Sequence, residues 1–489
     1  MKTILFLIAL VWTQVLTAQT LTNNEKAIQI IDKAIEVLGK CPDGLTVSGS
    51  GVIRNLGHYS SPEKTINIPV QETLAFFPDL QLAYSHTLIQ PENGKFYSDF
   101  VSKKDSVYSW SYYDETFSKS KTYDGLIDVA KTNPCWLLYF AQKEALSLRV
   151  LENPGSNYLI AATMPDGQVY SLFIDKGSHL IDRIERLVYN PIYGDAVFAT
   201  VYKDYKKQEE FLMPQKRVDY QFGLVEREIT YDSLSFATVP DTSVNFLNWL
   251  PEPYLQSLIK DETKEERVIF EKLSEKIDLI KYESKNNKSL LVKFPEGLGL
   301  FETPQGIPLN TLLLKEIKAR YPNEKIRYLF LTHHHPDHAG GLKTYAGSDI
   351  TVITTEGNTD YFNKLIRMPH NSLAEKMSNE IQLSFDYVPL DGQKDYEDIV
   401  TAFEIGKDTG HTDEHLVYYF PSERFLWTGD LLFFYEDERV YAAGDRGGSV
   451  YKLITRENLD VSRIYTSWPL QGQKEYGTVE FLKELVGND

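Results

Sequence analysis

Apolar positions over Asn24–Leu38 recur at helical spacing. Ile28, Ile31, Ala34, Ile35 and Leu38 follow one another at three- and four-residue steps and stop before Gly39, which predicts a helix over 24–38. From Gly44 to about Ala237 the period changes to two. Gln168–Ile174, with Val169, Tyr170, Leu172 and Ile174 apolar, is followed by Leu180–Val188 and Arg217–Phe222. Pro165-Asp166-Gly167, Asn190-Pro191 and Tyr193-Gly194-Asp195 supply turns between such runs. The pattern predicts a curved antiparallel sheet with a helix or two against it, in a β-rich domain over 19–240. Pro240, Pro251 and Pro253 and the charged run Lys260–Arg267 then read as a linker over 241–267. A surface helix using Leu255 and Leu258 is the other reading of that stretch.

From Val268 to the end, strands and helices alternate, so the expected fold class is α+β. Strands are predicted at Ile277–Tyr282, Leu290–Phe294, Leu298–Phe301, Ile326–Leu331, Ile350–Thr354, Val400–Glu404, Leu416–Phe420 and Phe425–Trp427. A helix is predicted over Leu309–Tyr321, with Leu312, Leu313, Ile317 and Ala319 apolar, and two more near Val450–Arg456 and Gly477–Leu485.

Composition narrows the class. The chain has 489 residues, enough for two or three domains, and 42% of them are hydrophobic, which excludes a disordered chain. The net charge of −18 argues against nucleic acid as a partner, since phosphate contacts need clustered Lys and Arg. The first residues follow the secretory pattern: Lys2, the apolar run Ile4–Val11, then Leu16-Thr17-Ala18. A signal peptide over 1–18 is expected, with an uncleaved anchor as the alternative, and hence a periplasmic or secreted protein. No later segment approaches transmembrane length. Only Cys41 and Cys135 are present; export permits a disulfide, but spacing does not show that they meet.

The chemistry concentrates at residues 332–341, Thr-His-His-His-Pro-Asp-His-Ala-Gly-Gly. His333, His335, Asp337 and His338 directly follow the apolar run Tyr328–Leu331, so one strand end delivers four ligand-type side chains to one rim of a sheet. Neutral imidazole is the commonest zinc ligand, and a catalytic zinc takes about three protein ligands and keeps one position open. Two further strand ends carry Gly410-His411-Thr412 and Thr428-Gly429-Asp430. A loop histidine and a turn-capping aspartate are the plainer readings of His411 and Asp430.

This order of motifs, His-x-His-x-Asp-His, then Gly-His-Thr, then Gly-Asp, resembles the metallo-β-lactamase superfamily over about 268–489. The resemblance implies an αββα sandwich with metal at one edge. It implies a first zinc on His333, His335 and His411, a second on Asp337 and His338, and Asp430 shared by both. A zinc-bound hydroxide would attack an ester, lactone, thioester or amide carbonyl of a small-molecule substrate. Asp337 would be the catalytic carboxylate, orienting the nucleophile or moving its proton. The chain departs from the family at one place. The last histidine ligand is missing, and the matching context Asp460–Pro469 puts Trp468 there; an indole offers no lone-pair nitrogen. The second zinc site therefore keeps at most Asp337, His338 and Asp430.

Of the remaining histidines, His334 reads as structural or orienting, and His415 as an orienting or metal residue. His58, His86, His179 and His370 have no partners by spacing and read as ordinary surface or core. Tyr170–Asp175, Leu180–Glu185, Tyr193–Asp195 and Phe211–Pro214 together resemble the half-barrel domains of periplasmic lipoprotein carriers. That resemblance implies a concave apolar face suited to a lipid-like molecule; a packing domain is the alternative. An exported zinc hydrolase is thus the first reading of the whole chain. A periplasmic binding or carrier protein with a degenerate hydrolase site is the second.

Overall fold

The computed structural model describes residues 23–487 apart from 40–43, 56, 78–80, 92–93, 104–105, 112–115, 122–123, 209, 237–265, 348, 374–381 and 438–442. The expected signal segment 1–18, Cys41 and nearly all of the expected linker lie outside the described residues. By its internal contacts the chain forms two compact units. The first comprises Met1–Arg54, Asn67–Val188 and Ala196–Thr263. The second comprises Lys264–Asp489 together with two excursions from earlier in the sequence, Asn55–Ile66 and Tyr189–Asp195.

The first unit is built on one thirteen-stranded sheet. The chain steps outward from Leu45–Ile53 to Thr116–Lys121, resumes at the opposite edge with Ser147–Leu151, and returns until Leu224–Phe236 pairs antiparallel with Leu45–Ile53. The helix at 23–38 and the helices Asp124–Ala130 and Pro134–Glu144 contribute Ile31, Ile127 and Trp136 to the core this sheet covers. Cys135 is disulfide-bonded. A cavity of about 330 Å³ in this unit is lined in part by Glu72, Lys131, Arg217, Asp219, Glu226 and Arg227. Buried Arg217 pairs there with Glu72 at 2.8 Å and Asp219 at 3.0 Å. Leu74, Phe100, Val129, Ile184 and Phe198 line the same cavity, so charged and apolar side chains share it.

The second unit has two sheets, and the alternation of side chains along each strand assigns their faces. The seven-stranded sheet runs in sequence order from Val268–Lys272 to Ser384–Tyr387, and its last four strands are parallel. The five-stranded sheet runs from Gln393–Tyr396 to Arg463–Tyr465. Leu279, Leu290, Phe301 and Phe330 of the first share one core with Ala402, Tyr418, Phe425 and Trp427 of the second. The alternate residues face outward. Ile280, Leu291 and Leu329 pack with the helices Ile307–Arg320 and Thr359–Arg367. Val417, Leu426 and Ile464 pack with Gly444–Arg456 and Val479–Val486. Helix, sheet, sheet, helix is therefore the layer order, as the resemblance implies. Among the described residues no helix is long and apolar enough to cross a membrane.

Candidate metal centre

The strand Ile326–Phe330 lies between two parallel neighbours, Gly297–Phe301 and Thr351–Thr354, so its end opens at the rim rather than into a hairpin. Thr332–His335 leave that end, and Pro336 then starts the one-turn helix Pro336–Ala339. Proline suits the first helical position because its missing N–H has no acceptor to lose. The turn folds His338 back until its ring centroid is 4.1 Å from that of His333. His411 follows the strand Val400–Glu404, and Asp430 follows Phe425–Trp427 through Gly429. Gly429 has φ +67, and a Cβ there would lie 2.9 Å from the Thr332 hydroxyl and 3.1 Å from His415 Nε2. Glycine lets the turn bring Asp430 in at that approach.

Three strand ends thus converge. The donor atoms of His333, His335, His411 and Asp430 all lie within 4.8 Å of one another, and so do those of Asp337, His338 and Asp430. Asp430 belongs to both groups. Its Oδ1 is 3.0 Å from His411 Nε2, 3.8 Å from His333 Nε2 and 3.7 Å from His338 Nε2. Asp337 Oδ2 is 3.4 Å from His338 Nε2. The two ring nitrogens His333 Nε2 and His411 Nε2 face each other at 3.2 Å. Lone pairs so placed repel unless a cation or proton lies between them. A four-coordinate ion holding imidazoles at about 2.0–2.1 Å sets their nitrogens about 3.3 Å apart.

Neighbouring groups decide which nitrogen of each ring faces inward. The Thr332 hydroxyl donates to Glu302 Oε1 at 2.7 Å and lies 3.0 Å from His333 Nδ1, which can donate to it and leave Nε2 free. His335 Nε2 donates to the carbonyl of Tyr59 at 2.8 Å, turning the Nδ1 lone pair inward. His338 Nδ1 is 3.4 Å from Glu302 Oε1, so its Nε2 faces the aspartates. His335 Nδ1, His338 Nε2 and Asp337 Oδ1 are all buried with no hydrogen-bond partner, and Asp430 Oδ1 has His411 Nε2 within 3.0 Å. Orphaned ligand atoms gathered in one cluster fit a bound cation.

Charge points the same way. Burial, reinforced by the surrounding imidazoles, holds His333 and His335 well below the usual histidine range, so both stay neutral. Burial also opposes a charge on His338, but Asp337, Glu302 and Asp430 outweigh it and raise that ring well above its ordinary value. Burial opposes a charged Asp430 too, but His411 and His338 outweigh it and the carboxyl lies well below its ordinary range. Three carboxylates around one imidazole are an excess of buried negative charge, which a divalent cation neutralises.

All six expected ligands are thus brought together. Asp337, the expected catalytic carboxylate, has a more exposed side chain than His411, His338 or Asp430. His415 stacks on His333 at 4.7 Å and donates Nε2–H to the Thr428 carbonyl at 3.1 Å, so it braces the cluster. His334 packs edge-on to Tyr361 at 5.7 Å. Trp468 lies edge-on to Phe433 at 5.8 Å, while Ser467 Oγ beside it is 3.4 Å from His338 Nδ1. His86 pairs with Asp99 at 2.7 Å, and His179 stacks on Tyr158. His370 packs against Tyr189.

One expectation is corrected. His58 is not an isolated histidine: its ring stacks on His335 with centroids 4.1 Å apart, and it groups with His335 and Asp337 as a possible metal ligand. The loop holding it belongs to the second unit, a placement that linear spacing does not carry. Glu302 and Thr332 also escape the motif. Their one sequence signal is position, each just beyond a strand that ends at the same rim.

Residues 302–468 match the family model described as the metallo-beta-lactamase superfamily. The C-terminal region therefore carries a domain of that superfamily, and this match together with the His/Asp cluster supports a metal-dependent hydrolase. The match does not reach the thirteen-stranded sheet. Solved structures similar to part of the chain include a metallo-beta-lactamase from Pontibacter korlensis, 19% identical over 46% of this chain and 100% of that one, with a TM-score of 0.34. Another is the metallo-beta-lactamase FIM-1 from Pseudomonas aeruginosa in its mono-zinc form, 14% identical over 46% of this chain and 96% of that one, with a TM-score of 0.35. No curated protein matches the chain.

Proposed function

We propose that the protein is an exported zinc-dependent hydrolase of small carbonyl substrates: esters, lactones, thioesters or amides. The observation that carries this reading is the convergence of oriented, orphaned donors on one space at the sheet rim. His333, His335 and His411 would hold the first ion, Asp337 and His338 the second, with Asp430 shared. An all-imidazole-and-carboxylate donor set suits zinc. Zinc bound there would acidify a water and polarise a carbonyl.

The chain's own residues do the rest. Tyr59, Thr332 and Glu302 fix the tautomers, so the donors need no rearrangement. Asp337 is placed to accept a proton, because its Oδ1 has no hydrogen-bond partner and its side chain is partly accessible. Arg446 donates to the Asp430 carbonyl at 3.2 Å and anchors the shared ligand's backbone. Export rests on the pattern of residues 1–18.

The test is a panel of carbonyl and phosphoester substrates assayed with and without chelator. The expected result is chelator-sensitive turnover of at least one carbonyl class. Metal binding with no turnover of any class would favour the binding-protein reading instead.

A further inference from the structure

The C-terminal sequence supplies the second metal position with three donors only, since Trp468 stands where a fourth imidazole is expected. The loop Asn55–Ile66 brings another imidazole beside Asp337, one of those three donors. His58 stacks on His335 at an interplanar angle of 28°, which restricts how its ring can turn. A ring nitrogen of His58 lies within 4.8 Å of the donor atoms of both His335 and Asp337. Asp337 is the residue common to this group and to the group Asp337, His338 and Asp430. Among the described residues the His58 ring has no hydrogen-bond partner, so its lone pair is not already committed.

The loop is held by more than the histidine. The Tyr59 carbonyl accepts from His335, the Ser60 carbonyl accepts from the backbone N–H of Asp413, and Lys64 pairs with Asp413 at 3.1 Å. Gly57 has φ +75 and packs so closely that a Cβ would overlap the Tyr193 hydroxyl. Tyr59 OH closes the loop on the Ile66 carbonyl at 2.9 Å. These contacts set the backbone on either side of residue 58 against the metal-binding motif.

We propose that His58 is a metal ligand: it joins Asp337, the carboxylate its group shares with His338 and Asp430, and supplies a second divalent ion with the imidazole absent at position 468. The proposal rests on the reading that the cluster binds metal. The centre then takes two ions, and its outer one depends on a loop more than 260 residues away in sequence from His338.

The test is titration of the metal-stripped full-length chain with Co²⁺ and Zn²⁺, reading bound equivalents and the cobalt absorption spectrum. The wild-type chain should bind two equivalents. His58→Ala should keep the first and weaken the second by at least about tenfold, whereas His179→Ala, which removes an imidazole of the first unit stacked on Tyr158, should keep both. His58→Cys should restore the second equivalent and add a thiolate-to-cobalt charge-transfer band, which places residue 58 on the metal itself. Two equivalents of unchanged affinity in His58→Ala, or one equivalent in the wild type, would overturn the proposal and leave the first site standing. No bound metal in the wild type would overturn the underlying reading instead.

Discussion

His333, His335 and His338 each turn one ring nitrogen to a protein group and the other to the cluster, and that division is the residue-scale basis of the site. Glu302 anchors it by accepting from Thr332 and facing His338, although it is fully buried. The buried rings also set a pH dependence. His415 is pushed down to about 3, first by burial and then by His411, and His333 and His335 are lowered as well. A ring that is neutral when folded but takes a proton near 6.5 when unfolded contributes stability that is present above 6.5 and lost as the pH falls toward its folded value. His338 has the opposite shift; its contribution is complete below 6.5 and adds no slope there. Thermal melts of the metal-stripped chain should therefore show Tm falling from pH 6.5 to pH 4. His415→Asn should flatten that slope; an unchanged slope would mean that His415 is not the buried neutral ring described here.

The elements that position these residues are short strands whose ends share one rim, and here the turn chemistry matters most. Gly429→Ala should cost about 1–2 kcal/mol from its left-handed backbone alone, and it presses on Thr332 and His415 as well. We expect a lower Tm and weaker metal retention together; a fully stable variant with intact metal affinity would remove Gly429 from the account. These strands and motifs were legible because apolar alternation stops abruptly where ligands begin, as in Leu329-Phe330-Leu331 before His333. Other elements were not legible, for definite reasons. Leu45–Ile53 reads LTVSGSGVI, too small and polar to show a clear period. The helix Pro134–Glu144 buries Pro134, Cys135, Trp136, Leu137, Leu138, Phe140 and Ala141, so it lacks the polar stripe that marks an amphipathic helix.

For the whole molecule, the first half of the sequence contributes directly to the second unit. Ile192 and Tyr193 pack against its outer core, and the segment 55–66 reaches the cluster. Motif reading picks out the six residues that the structure brings together because each follows a strand end of the α/β pattern. It misses His58 and Tyr59, because their approach to His335 is a tertiary event with no local signature. The account stands or falls on whether bound zinc governs turnover. The direct measurement strips the chain of metal, adds zinc back in steps, and follows hydrolysis of the best carbonyl substrate against bound equivalents, with His335→Ala alongside. Hydrolysis should rise with bound zinc in the wild-type chain, while His335→Ala stays inactive and metal-poor. Hydrolysis that persists in the stripped chain, or equals wild type in His335→Ala, would contradict it.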